Sequence, residues 1–218
     1  KNIKFSTDNV NFNSDSLRIT KLDNNYQIEG EIENSKSILS KNLARLLNLN
    51  LNNLDIEKTK FSSQNNFKFE IDRRFKFKNL ILASQLNFNK IIYQSESDYI
   101  NYFPELKKNI ELDNHDLKIK YDKNTLSVIG KGKVKIGDNS DQIEYFIRKK
   151  NDNIEFETDL NIKKTTIKNQ KIIKTNFPKT KDLLDLKDHK INIRYKDQKL
   201  YLNGEGSVRF EKEFNDIK

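Results

Sequence analysis

His115 and His189 are the only imidazoles in this chain, and it contains no cysteine. Histidine is the side chain best suited to move protons near neutral pH or to bind a metal. These two hold matching positions in two related segments and have no His-x-x-x-His partner, so each reads as a structural residue at a strand entry. The lack of Cys excludes disulfides and thiolate metal sites. No Gly-x-Ser-x-Gly elbow is present. Gly130-Lys131-Gly132 lies inside a strand pattern and does not open a helix, so a phosphate loop is not expected there. Asp and Glu alternate with Lys on the wet face of the pattern, where ion pairs contribute little. The expectation is a chain with no catalytic residue, no metal and no cofactor, and therefore no enzyme.

Lys and Arg number 41 against 32 Asp and Glu, a net charge of +9. Such an excess fits nucleic-acid binding. The positive charge is nearly all Lys, however, whereas bidentate phosphate recognition favours Arg. Lysines such as Lys131, Lys133 and Lys135 are spread along strand patterns instead of forming one basic block. A solvated strand face is the expectation, with no nucleic-acid partner.

The elements that position these residues are strands. Apolar residues make up 34% of the chain, which is thin for a globular core, but they are regularly placed, as in a sheet with one dry and one wet face. Phe67, Phe69 and Ile71 share one parity, as do Leu80, Leu82, Leu86 and Phe88. Ile143, Tyr145 and Ile147 form a further set, and Asn151-Asp152-Asn153 supplies turn chemistry. A return strand follows with Ile154, Phe156, Leu160 and Ile162. These sets read as hairpins.

A gapless repeat runs through the second half. His115-x-Leu117-x-Ile119-x-Tyr121 aligns with His189-x-Ile191-x-Ile193-x-Tyr195, an offset of 74 residues (189 − 115). At the same offset, Leu126-x-Val128-x-Gly130-x-Gly132-x-Val134-x-Ile136 aligns with Leu200-x-Leu202-x-Gly204-x-Gly206-x-Val208-x-Phe210. A fainter echo is Tyr26-x-Ile28-x-Gly30-x-Ile32. A fixed offset carrying one hairpin suggests stacked units, each covering its neighbour's open edge. At about 3.3 Å per residue the second strand of each unit is roughly 36 Å long. The glycines share parity with the apolar residues. Gly130, Gly132, Gly204 and Gly206 are expected to leave a gap in that face and let the long strand bend, setting the curvature of a groove.

Helical signal is scarce. Ile38, Leu39, Leu43, Leu46 and Leu47 predict a helix over 35–48, with Asn34 or Ser35 as its cap. Residues 98–103 and 180–186 predict a turn or two more. The chain has no Met and opens on Lys1 in mid-pattern, so residues 1–218 are expected to be one segment of a longer protein, with repeat units around 115–136 and 189–210. No run reaches the roughly 18 apolar residues of a membrane-spanning helix.

With so little helix, something else must cover the apolar strand faces, since leaving a Leu, Ile or Phe exposed forfeits roughly 1.5–3 kcal/mol. A second sheet, a bilayer outside a barrel, and an apolar ligand in a curved sheet are the three available covers. A barrel would place aromatic girdles at the strand ends, whereas Phe here is spread along strand centres. A sandwich leaves the long strands and the tandem repeat unexplained.

The Leu-x-Val/Leu-x-Gly-x-Gly-x-Val pattern at 126–134 and 200–208, with the alternating stretch 67–93, resembles the AsmA-like, YhdP/TamB-type proteins of the bacterial envelope. That resemblance covers most of the chain. It implies a long antiparallel sheet curved into an open groove that bridges inner and outer membranes and carries phospholipid. It further implies a periplasmic location, a role in outer-membrane biogenesis, and an inner-membrane anchor elsewhere in the parent chain. No catalytic residue carries over. The inward positions are then the lipid contacts: Phe67, Phe69, Ile71, Leu82, Leu86 and Phe88 in the first half. In the repeats they are Leu117, Ile119, Leu126, Val128, Val134 and Ile136, then Ile191, Ile193, Leu200, Leu202, Val208 and Phe210, with Phe156 and Leu160 between. The expected partners are phospholipid acyl chains, the two membranes, and neighbouring β repeats. The alternative is a structural or adhesive β-sandwich repeat.

Overall fold

Period-2 alternation becomes strand almost throughout. A computed structural model describes residues 3–7, 10–39, 53–55, 59–94, 109–136, 139–168, 174–175, 181–210 and 213–217. The strands are β1 (Ile3–Thr7), β2 (Val10–Ser14), β3 (Leu17–Lys21), β4 (Asn25–Ile38), β5 (Lys60–Asp72), β6 (Phe77–Gln94) and β7 (Asn109–Asp122). They continue with β8 (Thr125–Ile136), β9 (Asn139–Lys150), β10 (Asn153–Lys168), β11 (Leu183–Lys196), β12 (Lys199–Phe210) and β13 (Glu213–Ile217). All pair antiparallel in one open 13-stranded sheet, in chain order except that β3 and β2 both pair with β4.

Turn chemistry sets the hairpins. Lys123–Asn124 and Asp197–Gln198 have both central φ angles positive (46° and 63°, 51° and 61°), the geometry whose twist matches two right-twisted strands. Between β5 and β6, the Asp72 carboxylate accepts the backbone N–H groups of Arg74 (2.9 Å) and Lys76 (3.0 Å).

Among the described residues the sheet is a single layer. Substantial contacts between described elements are all between strands that neighbour each other in the sheet. The accessible surface is 15743 Å2, against roughly 10,500 Å2 for a compact globule of 25.8 kDa. Among the described residues, buried apolar side chains form three small clusters near one end of the strands. Val10 and Phe61 form one, Val134, Ile136 and Ile162 the second, and Leu184, Leu186 and Val208 the third.

The helix expectations fail where they can be seen. Ser35–Ile38 continue β4, because Ser37 pairs with Phe61 and Lys36 takes a left-handed conformation (φ 51°) that no helix accommodates. Residues 40–48 and 98–103 lie outside the described residues. Leu183–Leu186 begin β11: Leu184 and Leu186 are buried on one face, and the short apolar run is strand alternation. Among the described residues only Lys174–Thr175 are helical.

The gap expected at the glycines is filled at three of the four. Between Asp113 and Asp116 the register shifts, so that Asn114 and His115 together oppose Gly132. The same shift between Lys187 and Lys190 sets Asp188 and His189 opposite Gly206. Asn114 (φ 46°) and Asp188 (φ 52°) take the left-handed turn of these bulges, which Asn and Asp tolerate better than other side chains. A Cβ on Gly132 would collide with the His115 ring, and one on Gly206 would stand 2.5 Å from the His189 ring. Gly130 lies directly beneath the Tyr145 ring. Three of the four glycines are therefore seats filled by rings, and at Gly132 and Gly206 the ring belongs to the bulge that the glycine opposes. Only Gly204 carries no ring: a Cβ there would make ordinary contact with the Lys190 carbonyl and Ile191.

Adding a methyl group separates the two cases. Gly132→Ala and Gly206→Ala should lose about 1–3 kcal/mol of stability to overpacking. Gly204→Ala should be neutral or gain up to roughly 1 kcal/mol from lower unfolded-state entropy. Urea unfolding of the three variants measures this, and equal losses at 132 and 204 would contradict the ring-seat assignment.

Candidate apolar face

Register turns the alternation of separate strands into continuous rows. One row runs Phe61, Phe88, His115, then Gly132, Ile143, Leu160, Ile191 and Gly204 across β5 to β12. The next runs Ser63, Leu86, Leu117, Gly130, Tyr145, Thr158, Ile193 and Leu202. A third runs Asn65, Ser84, Ile119, Val128, Ile147, Phe156, Tyr195 and Leu200. Beyond it, Gly30, Phe67, Leu82, Tyr121 and Leu126 line up from β4 to β8. With neighbouring strands about 4.8 Å apart, a row from β5 to β12 is roughly 34 Å long.

This face is also the sheltered one. Its short polar residues Ser63, Ser84 and Thr158 are buried, whereas Asn66, Asn87 and Asn161 on the other face are exposed. The other face carries the ion pairs, among them Lys131–Glu144 at 2.8 Å and Lys68–Glu29 at 3.7 Å. Hollows of about 370–780 Å3 occur on that polar side. The largest lies among Glu144, Asp159, Asn161, Lys190, Asn192 and Glu205, with Leu160, Ile191 and Leu202 contributing from the sheet beneath.

The predicted inward residues fall into three groups. Phe67, Phe69, Ile71, Leu82, Leu86, Phe88, Leu117, Ile119, Leu126, Val128, Phe156, Leu160, Ile191 and Ile193 share the face and are partly exposed; Leu200 and Leu202 are open at 69% and 67%. Val134, Ile136 and Val208 are packed against protein neighbours such as Leu112, Ile162 and Leu186, which leaves them no free surface to offer a ligand. The side chain of Phe210 lies outside those described. Sequence reasoning missed Leu17 and Ile19, whose alternation was present and which stand exposed opposite Gly30 and Ile28. Tyr121, Tyr145 and Tyr195, placed on this parity by the alternation but not named among the ligand contacts, also belong to the face.

Polar groups interrupt the face at Thr158 on β10 and in two larger places. Asn34, Ser63 and Asn65 form a patch on β4 and β5, in which Ser63 donates to Asn34 and Asn65 donates to the Ile32 carbonyl at 3.1 Å. The second interruption is His115, fully buried, stacked on Tyr145 (ring centroids 5.5 Å apart) and hydrogen-bonded through Nε2 to its hydroxyl at 2.9 Å. His115 Nδ1 has no partner. Burial pushes the His115 pKa down, opposed by the nearby Asp116 carboxylate, and burial pushes Tyr145 up. Asp141 is also fully buried: desolvation raises its pKa, while the backbone N–H and the ammonium of Lys163 pull it down. His189 Nδ1–H donates to the Lys187 carbonyl at 3.1 Å. Among the described residues no three His, Asp or Glu side chains converge on a metal position. No described helix is long and apolar enough to cross a membrane.

No protein-family model, curated protein or solved structure matches the chain.

The burial of His115 has a pH consequence. The folded chain takes up that proton at lower pH than the unfolded chain, whose histidines titrate near pH ~6.5. Its contribution is fully present above that pH and declines as pH falls through it. Asp141 acts with the opposite sign, because its raised pKa lets the folded state bind a proton first as pH falls further. Urea unfolding at pH 7.5 and 5.5 should show a loss of stability at the lower pH that is smaller in His115→Gln. An identical loss in that variant would contradict the assignment.

Proposed function

We propose that this chain is a segment of a lipid-carrying groove, in which phospholipid acyl chains lie on the apolar face and head groups stay at the rim. The observation that carries the reading is the register: one apolar parity is kept from β5 to β12, with no second described layer upon it. A roughly 34 Å row is longer than an extended acyl chain, so successive rows offer similar surfaces in series and no single deep well. Binding is passive and involves no catalytic step. Lipid is favoured because each Leu or Ile it covers returns roughly 1.5–3 kcal/mol otherwise forfeited to water.

The same reading places the parent protein in a bacterial envelope, spanning from an inner-membrane anchor toward the outer membrane and serving outer-membrane biogenesis. It gives no role to nucleic acid. In support, many of the lysines on the polar face are already opposed by carboxylates, such as Glu144 against Lys131 and Glu111 against Lys90.

Photo-crosslinking tests it. A photoreactive residue at Val128 or Leu202 on the apolar face should yield phospholipid adducts. The same residue at Lys133 or Arg209 on the polar face should yield few. Equal labelling of both faces would overturn the proposal.

A further inference from the structure

The hairpins β3–β4, β5–β6, β7–β8, β9–β10 and β11–β12 all turn at one end of the sheet, away from the buried clusters. Their turns, residues 21–25, 72–78, 122–125, 149–153 and 196–199, carry ten Lys and Arg against five Asp, where the whole chain has 41 against 32. The excess gathers at one tip, Arg73-Arg74-Phe75-Lys76-Phe77-Lys78, which sets four cations against Asp72. Asp72 is already engaged by Lys78 at 3.2 Å and by the N–H groups of its own turn. Among the described residues no carboxylate lies within ion-pair distance of Arg73, Arg74 or Lys76. This tip also overhangs its neighbour: Leu82 opposes Tyr121 near the end of β7, so Phe77–Leu80 reach past it. Phe75 is 82% exposed and holds a left-handed φ of 58°, a hairpin position that suits Gly or Asn and penalises a bulky side chain. Phe77 is 69% exposed; its ring packs on Phe69 (centroids 5.1 Å apart), which stacks on Phe67 (5.8 Å). Leu80 and Ile81 beside them are exposed as well. Phe75 thus bears a backbone penalty that no packing within the fold offsets.

We infer that the β5–β6 tip docks on the surface of a bilayer that carries anionic phospholipid. Phe75 enters the boundary between head groups and acyl chains, and Arg73, Arg74 and Lys76 sit on lipid phosphates. Basic residues interleaved with aromatic ones suit that boundary, because the phosphates attract the charges while the rings leave water. Arg is scarce in this chain, seven residues in all, yet two stand side by side here, and the guanidinium fork matches phosphate. A nucleic acid offers the same phosphates. The rings of Phe67, Phe69 and Phe77 lean on one another, however, and leave no slot for a base, and bases give no cover to Leu80 and Ile81. A bilayer covers aromatic and aliphatic side chains alike. Docking by this tip needs no lipid on the apolar face and stands apart from the groove reading.

The chain has no Trp, so Phe75→Trp is a lone fluorescent reporter. The probe is a vesicle of equal parts phosphatidylcholine and phosphatidylglycerol. On mixing, the emission of Phe75→Trp should shift to the blue and be quenched by brominated acyl chains. Asn161→Trp, on the polar face, should show neither change. In co-sedimentation the full chain should bind these vesicles and leave vesicles of phosphatidylcholine alone largely unbound. Phe75→Asn should weaken binding by roughly tenfold. That variant should melt no lower than the parent, because Asn tolerates the left-handed conformation. Arg73→Gln and Arg74→Gln should each weaken binding by about fivefold. Absence of vesicle binding, or binding indifferent to Phe75→Asn and to both Arg changes, would overturn the proposal. An oligonucleotide bound more tightly than the vesicles, and lost in the same variants, would assign the tip to nucleic acid and overturn it as well. A chain that takes up phospholipid yet does not sediment with vesicles would overturn the docking and leave the groove reading standing.

Discussion

A slip of one residue between neighbouring strands turns every side chain of the slipped strand to the opposite face. In a single-layer sheet nothing beyond the ladder corrects such a slip, so the continuity of the apolar face depends on pairing register at each step. The bulges show how that constraint is met. At the base of β10 and β11 both strands insert a residue at the same level: Ile162 opposes His189 and Thr165 opposes Leu186, all buried, with Lys163–Lys164 and Lys187–Asp188 exposed between them. Phe88 opposes His115 and Ile91 opposes Leu112 in the same manner on β6 and β7. Each bulge runs across two strands and ends against a glycine, Gly132 or Gly206, where the next strand opposes two residues with one. Parity survives the bulge because the glycine accepts the displaced histidine ring.

Cohesion in such a sheet is local. Cross-strand pairs contribute roughly 0.2–1 kcal/mol each, and the chain makes many, including Phe61–Phe88 with ring centroids 6.0 Å apart. The buried clusters lie at one end of the strands. At the other end Leu17, Ile19, Phe77 and Leu200 stay open. A ligand that covers this open part binds the folded state alone, so occupancy and stability rise together. The function proposed and the marginal packing are thus two aspects of the same uncovered surface.

The hairpins, their turns and the repeat were legible in the sequence because alternation and turn residues act within a few positions. Asn151-Asp152-Asn153 marks the turn between β9 and β10, and the two repeat units end with β8 at Ile136 and β12 at Phe210; His115 and His189, expected at strand entries, lie inside β7 and β11 at the bulges. The bulges were not recognised, although Asn114 and Asp188 precede both histidines at the same offset. Their effect needs a partner strand to count against, and a sequence read strand by strand supplies none. The same blindness hid the ring seats: that Tyr145 lies on Gly130 follows only from the β8–β9 register. Leu184 and Leu186 were read as helix because a short apolar run fits either period, and pairing with Ile167 and Thr165 decided it. Val134, Ile136 and Val208 share the parity of the apolar face, yet their enclosure depends on side chains of neighbouring strands, which a single strand read by itself does not supply.

The claim that acyl chains cover the open face is tested most directly by native mass spectrometry of the chain after incubation with phospholipid vesicles. The account predicts a population heavier by whole phospholipid masses, depleted when Leu200 and Leu202 are both replaced by Asp. A spectrum of bare chain alone would contradict it.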